Sequence, residues 1–116
     1  GSEPNYSAEH VQKSVELLKK AGLETKVMID CSHANSNKDH DRQPAVADDI
    51  AGQISGGSHA IFGVMLESFL VGGRQNQEPG SALVYGQSIT DACMSWDATV
   101  PVLETLATSV AARRKR

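Results

Sequence analysis

Aromatic residues are scarce in this chain. Tyr6, Phe62, Phe69, Tyr85 and Trp96 are the full complement, 4% of 116 residues, too few for a base-stacking nucleic-acid platform. Cysteines are fewer still. Cys31 and Cys93 cannot build a disulfide framework and fit a reduced compartment. Long apolar runs are missing as well: the longest, Ala60 to Leu66, falls far short of the ~20 residues of a membrane-spanning helix. No charged-then-apolar opening resembles an export signal, so a cytoplasmic protein is expected. Nor is there a large excess of one charge. A formal net charge of -3 argues against a nucleic-acid surface, and the basic stretch Arg113 to Arg116 reads as cations favouring a helix C-terminus. Neither nucleic acid nor membrane is an expected partner.

What is present is a globular composition, 40% hydrophobic and 22% charged, sized for one domain over residues 1–116. Ser7 is a good helix N-cap; Val11, Val15 and Leu18 recur at helical spacing until Ala21-Gly22 ends the run. Val27 to Cys31 reads as a short buried strand. After a polar loop, Pro44 suits the first position of a helix that carries Val46, Ile50 and Ile54 and stops at Gly56-Gly57. Ala60 to Leu66 reads as a second strand, apolar on both faces. A Gly-rich polar segment, Val71 to about Ser88, leads to a last helix capped by Asp97 or Thr99, with Pro101 in its first turn. Helix and strand alternating in this way implies α/β architecture with parallel strands.

His33 and Glu67 both fall just past the C-terminal ends of the two strands, about one βα repeat apart. Such positions converge at the rim where α/β proteins place their chemistry. With Asp91 they make a mixed N/O set suited to Mn²⁺, Fe²⁺, Co²⁺ or Zn²⁺, and a divalent ion there acts as a Lewis acid on a carbonyl oxygen. The same residues also read as a backbone-bonded strand end, a solvated terminus and a helix cap. Cys31, two residues before His33 and on the same face if the strand continues, is a candidate fourth ligand, or else a packed core thiol. Cys93 stands in the same relation to Asp91. Lys38 and Arg74 are candidates to hold a phosphate, although isolated loop cations are usually solvated; His10 and His59 read as structural. Two parallel strands alone leave unpaired edges, so the chain is expected to be part of something larger.

The segments "PNYSAEHV", "VMIDCSHANSNK", "QISGG", "IFGVMLESFLVGG" and "YGQSITDACMSW" resemble, in order and spacing, the C-terminal part of the type I 3-deoxy-D-arabino-heptulosonate 7-phosphate (DAHP) synthases. The resemblance runs from about Glu3 to the basic C-terminus. It implies the C-terminal part of a (β/α)₈ barrel: helix 6, strand 7, helix 7, strand 8 and helix 8. It also implies the family's reaction, condensation of phosphoenolpyruvate with erythrose 4-phosphate, the opening step of the shikimate pathway of aromatic amino acid biosynthesis.

Carried over motif by motif, the resemblance makes His33, Glu67 and Asp91 ligands of a divalent metal. His33 would also contact phosphoenolpyruvate, and Asp91 would handle a proton beside the aldehyde. The family's ligand cysteine and its phosphate-gripping cations lie upstream of the matched segments, so neither Cys31 nor Cys93 inherits a ligand role. Arg74 stands where relatives often carry Asn, and Cys31 where they often carry an aromatic. Expected partners are the two substrates together with the rest of the barrel or another copy of the chain. The alternative is an inactive barrel fragment serving as a structural or assembly module; a weaker one is a residual metal-binding protein.

Overall fold

A computed structural model describes residues 2–116; Gly1, the first residue of the expected domain, lies outside the described residues. The chain opens with α1 (Ala8–Lys20), followed by β1 (Val27–Asp30). Two 3₁₀ turns, His33–Ser36 and His40–Arg42, lead into α2 (Gln43–Ser55) and β2 (Ile61–Met65). Four short strands follow, β3 (Ser68–Phe69), β4 (Val71–Arg74), β5 (Gln87–Ser88) and β6 (Met94–Ser95), before α3 (Trp96–Arg114). This is mixed α/β structure in which β1 pairs with β2, β3 with β6 and β4 with β5, all in parallel.

The local chemistry explains most boundaries. Ser7 caps α1 by accepting from the His10 amide, and Gly22 takes the left-handed conformation (φ 73°) that closes the helix. α2 starts one residue before Pro44, so the proline is its second residue, and Arg42 caps it without a side-chain bond. The last helix corrects the sequence reading: its N-cap is Ser95, whose Oγ accepts from the Ala98 amide at 3.1 Å. Thr99 is instead a buried residue of the second turn, its hydroxyl donating to the Ser95 carbonyl at 2.8 Å. Pro101 therefore sits inside the helix rather than in its first turn, and removes one ladder bond there.

The core joins all the larger elements. Val11 of α1, Ile29 of β1, Val46, Ile50 and Ile54 of α2, Ile61 of β2 and Val102 of α3 are buried together with Cys31 and Met94. Alternation along the strands sends the other side chains outward, where Met28 and Phe62 stay 56% and 65% exposed. The two strands are apolar on both faces, as expected, but within this chain only one face is covered.

The segment between β3 and α3 is more ordered than its glycine content suggests. Gln75 donates from Nε2 to the carbonyls of Val84 and Gln87, and its Oε1 accepts the Val84 amide. Gln87 donates to the Gly72 carbonyl at 2.9 Å. These amide hooks and the β4–β5 and β3–β6 ladders fold the excursion back on itself, delivering Asp91 to the ends of β1 and β2.

Candidate metal centre

His33 follows β1 at the start of the first 3₁₀ turn, with φ 52°. A left-handed conformation is uncommon for a non-glycine residue and persists only where its surroundings enforce it. Here the enforcement is visible. Asn35 donates from Nδ2 to the Asp30 carbonyl at 2.7 Å, and the Lys38 amide donates to the His33 carbonyl at 2.8 Å. The turn swings the imidazole over the strand ends, where its Nδ1–H donates to Asp30 Oδ2 at 2.8 Å. Asp30 Oδ1 also accepts the Ser32 amide at 2.8 Å and the Ser32 hydroxyl.

With Nδ1 committed to Asp30, His33 presents Nε2 to the other two groups. It lies 3.5 Å from Glu67 Oε1 and 3.3 Å from Asp91 Oδ2. One ligand atom from each of the three residues falls within 4.8 Å of the other two. Neutral His33 would point a lone pair at two carboxylate oxygens, three acceptors facing one point without a donor among them. Such a cluster is balanced either by a proton on Nε2 or by a cation. The donor set, one imidazole and two carboxylates, fits a borderline divalent ion.

The electrostatics follow from the same contacts. The hydrogen bond to Asp30, then the charges of Glu67 and Asp30, raise His33 above its ordinary pKa. Burial pushes the Asp30 carboxyl up, but the combined bonds from Ser32 and His33 outweigh it and hold Asp30 below the usual carboxylate value. Glu67 is raised, first by burial, which the charge of His33 only partly offsets while that of Asp91 adds to it. A cation among these groups would favour the deprotonated form of each.

The trio borders a cavity of about 340 Å³, which Lys38, Arg74 and Gln43 also line. Arg74 is anchored beside Asp91, its Nε donating to the Thr90 carbonyl at 2.8 Å and its Nη2 to Asn76 Oδ1 at 2.8 Å.

Cys31 is not part of this group. It is fully buried in the core, and burial followed by the charge of Asp30 pushes its thiol up to about 12. The shared-face argument fails because the chain leaves the strand before His33. Cys93 is partly buried, its Sγ donating to the Asp91 carbonyl at 3.5 Å. His10 contacts the Ser7 hydroxyl at 2.6 Å, as a structural histidine does.

Two residues have roles that the sequence does not assign. Asp30 stands in the polar cluster that ends the first strand, a carboxylate three residues before a strand-end histidine, but nothing there marks it as the partner of Nδ1. Gln43 carries no signal, since nothing distinguishes it from an exposed glutamine ahead of a proline.

The DAHP synthetase I family profile matches residues 1–104. The chain belongs to the DAHP synthetase I family. It is 55% identical over 114 residues to the Phe-sensitive phospho-2-dehydro-3-deoxyheptonate aldolase of Escherichia coli, covering 98% of this chain and 33% of that protein. It is 52% identical over 120 residues to the corresponding aldolase of Corynebacterium glutamicum, covering 97% of this chain and 32% of that one. The solved structure of a phospho-2-dehydro-3-deoxyheptonate aldolase from Francisella tularensis superposes with a TM-score of 0.89 at 54% identity, over 97% of this chain and 32% of that one. The chain thus spans about a third of the length of the relatives it matches.

Proposed function

We propose that this chain is the C-terminal portion of a single (β/α)₈ barrel domain and carries most of the metal centre of a DAHP synthase. The reaction is the condensation of phosphoenolpyruvate with erythrose 4-phosphate, releasing phosphate, in the cytoplasmic shikimate pathway. The single observation carrying this reading is the convergence of His33 Nε2, Glu67 Oε1 and Asp91 Oδ2 about one point, at the rim where barrel enzymes place their chemistry.

His33, Glu67 and Asp91 would hold the ion, of the Mn²⁺, Fe²⁺, Co²⁺ or Zn²⁺ group. Bound there, the ion supplies Lewis acidity toward a substrate carbonyl oxygen. The other roles belong to the protein. Asp30 fixes the tautomer of His33, leaving Nε2 as the free nitrogen. His33 borders the cavity that would receive phosphoenolpyruvate. Asp91, with a side chain 64% exposed, is the group best placed to accept a proton from the reacting substrate. Lys38 and Arg74 on the same cavity wall offset part of the substrates' phosphate charge; the remaining cations come from the rest of the barrel.

One observation favours a second reading. The exposure of Met28 and Phe62 on the uncovered sheet face suits a module that persists by pairing with another copy or partner, without turnover. Calorimetric titration of Mn²⁺ into the chain, beside a His33→Ala control, tests the metal centre: binding abolished by the substitution supports it, and absence of binding means that the ligands converge only inside a complete barrel. Supplying the N-terminal segment in trans separates the two readings, since phosphoenolpyruvate consumption supports the enzyme and its absence favours the assembly module.

A further inference from the structure

Glu67 sits where the backbone loses its strand partners. The β1–β2 ladder ends at Met65, paired with Asp30, and the β3–β6 ladder begins at Ser68, paired with Met94. Between them the Glu67 amide would have no acceptor and its carbonyl only one donor, the Met94 amide at 2.9 Å. A single side chain fills the gap. Gln43, from the first turn of α2, accepts the Glu67 amide on Oε1 at 2.8 Å and donates from Nε2 to the Glu67 carbonyl at 2.9 Å. Its side-chain amide closes the same two-bond ring that an antiparallel neighbour would.

Gln43 is fully buried and spends its amide on no other strong bond; its remaining contact, to the His40 carbonyl, is 3.5 Å. Burying a glutamine costs free energy unless both amide atoms are paired. A hydrophobic residue would fill the position without that condition, so the amide serves the backbone it holds. That backbone carries the more buried of the two carboxylates in the trio, at 22% side-chain exposure against 64% for Asp91.

We infer that Gln43 is a positioning residue of the metal centre: it sets the backbone of Glu67, and through it the carboxylate. This deepens the proposed function and rests on that reading. It identifies the first turn of α2 as the support on which the ligand geometry depends.

Two measurements on Gln43→Met, which keeps the length and loses both bonds, test the inference. The first needs no metal. Amide hydrogen exchange at Glu67 should accelerate about tenfold or more, while Ile29 and Met65 in the adjoining ladder keep the parent protection. The second is Mn²⁺ affinity, expected to fall about 10–100-fold, as for other groups that orient a ligand. In a Glu67→Gln background the Gln43 substitution should cost less than about threefold, because the group it positions has gone. A substitution acting only through global stability would accelerate exchange throughout the ladder and weaken binding equally in both backgrounds; either result overturns the inference. Should circular dichroism show Gln43→Met unfolded, Gln43→Glu carries the test. It keeps the acceptor for the Glu67 amide, so that amide should stay protected while affinity falls; parent-like affinity overturns the inference. If the unsubstituted chain binds no Mn²⁺, that control shows that the three ligands form no site without the rest of the barrel. The clamp is then judged on exchange alone, and an unchanged Glu67 rate refutes it.

Discussion

Asparagine in place of Asp30 should damage metal binding although Asp30 is not among the converging ligands. The carboxylate accepts the Nδ1–H of His33 at 2.8 Å and the amide and hydroxyl of Ser32. In Asp30→Asn the carbamoyl oxygen can keep the Ser32 bonds, which turns the amide nitrogen toward His33 Nδ1. An N–H donor facing Nδ1 favours the tautomer with its proton on Nε2, the nitrogen that faces Glu67 and Asp91. A protonated Nε2 cannot ligate. Loss of an outer carboxylate partner typically costs 10–100-fold in metal affinity, or about 1.4–2.7 kcal/mol at 1.36 kcal/mol per factor of ten.

The assay is calorimetric titration of Mn²⁺, carried up in pH until the affinity stops rising. Protons compete for Nε2 below the raised pKa of His33, so affinity should rise with pH through that value and then level off. Working above it separates the tautomer effect from simple protonation. Asp30→Ala, which leaves Nδ1 to the Ser32 hydroxyl at 2.8 Å, a group that can accept its proton, should bind more tightly than Asp30→Asn, because it imposes no wrong tautomer. Affinity of Asp30→Asn within twofold of the parent, with His33→Ala inactive in binding, would refute the orienting role. An alanine variant no better than the asparagine variant would leave the lost charge, not the tautomer, as the cause.

The sequence made two of the three converging residues legible for a simple reason. His33 and Glu67 directly follow apolar runs, so locating the strands located them. Asp91 lies beyond a long excursion and was named by motif resemblance as much as by position. Its delivery depends on Gln75 and Gln87 hooking backbone carbonyls across the loop, contacts that no periodicity announces. The cap of α3 was misplaced because Ser95, Asp97 and Thr99 are all good capping residues within five positions. The choice is made by pairing: β6 fixes Met94–Ser95 against Ser68–Phe69, and Thr99 is drawn inward against the Ser68 hydroxyl. Cys31 was offered as a ligand on strand alternation, which holds only while the strand lasts. At His33 the backbone has turned to φ 52°, and the imidazole and the thiol part company. Gln43 and Asp30 show a further limit, since what orients a ligand depends on distance in space rather than position in the chain.

Three more outcomes are expected. Ile50→Ala, which removes a fully buried side chain at the centre of α2, should cost about 2–5 kcal/mol in urea unfolding, where a loss below about 1 kcal/mol would contradict the packing described. Ser95→Ala should cost about 1 kcal/mol and Asp97→Ala clearly less, since only the serine bonds the free amides of α3; the reverse order in thermal melts would restore Asp97 as the cap. The two thiols should differ sharply toward iodoacetamide. Cys31 is fully buried with its pKa pushed up to about 12, so at pH 8 only about one part in ten thousand is thiolate. Cys93 is also raised, chiefly by burial, but is only partly covered and reaches solvent beside Asp91. Native-state labelling should therefore modify Cys93 first and reach Cys31 only on unfolding. The linkage has one sign: Cys31 keeps its proton in the folded chain where the unfolded thiol loses it. Its contribution is thus complete below the ordinary thiol pKa and declines as pH rises from there toward 12. Mn²⁺ should slow the labelling of Cys31 only as far as it raises global stability, because the thiol faces the core and not the trio. Native labelling of Cys31 at a rate near that of Cys93, or its protection by Mn²⁺ without a change in global stability, would return this cysteine to the site.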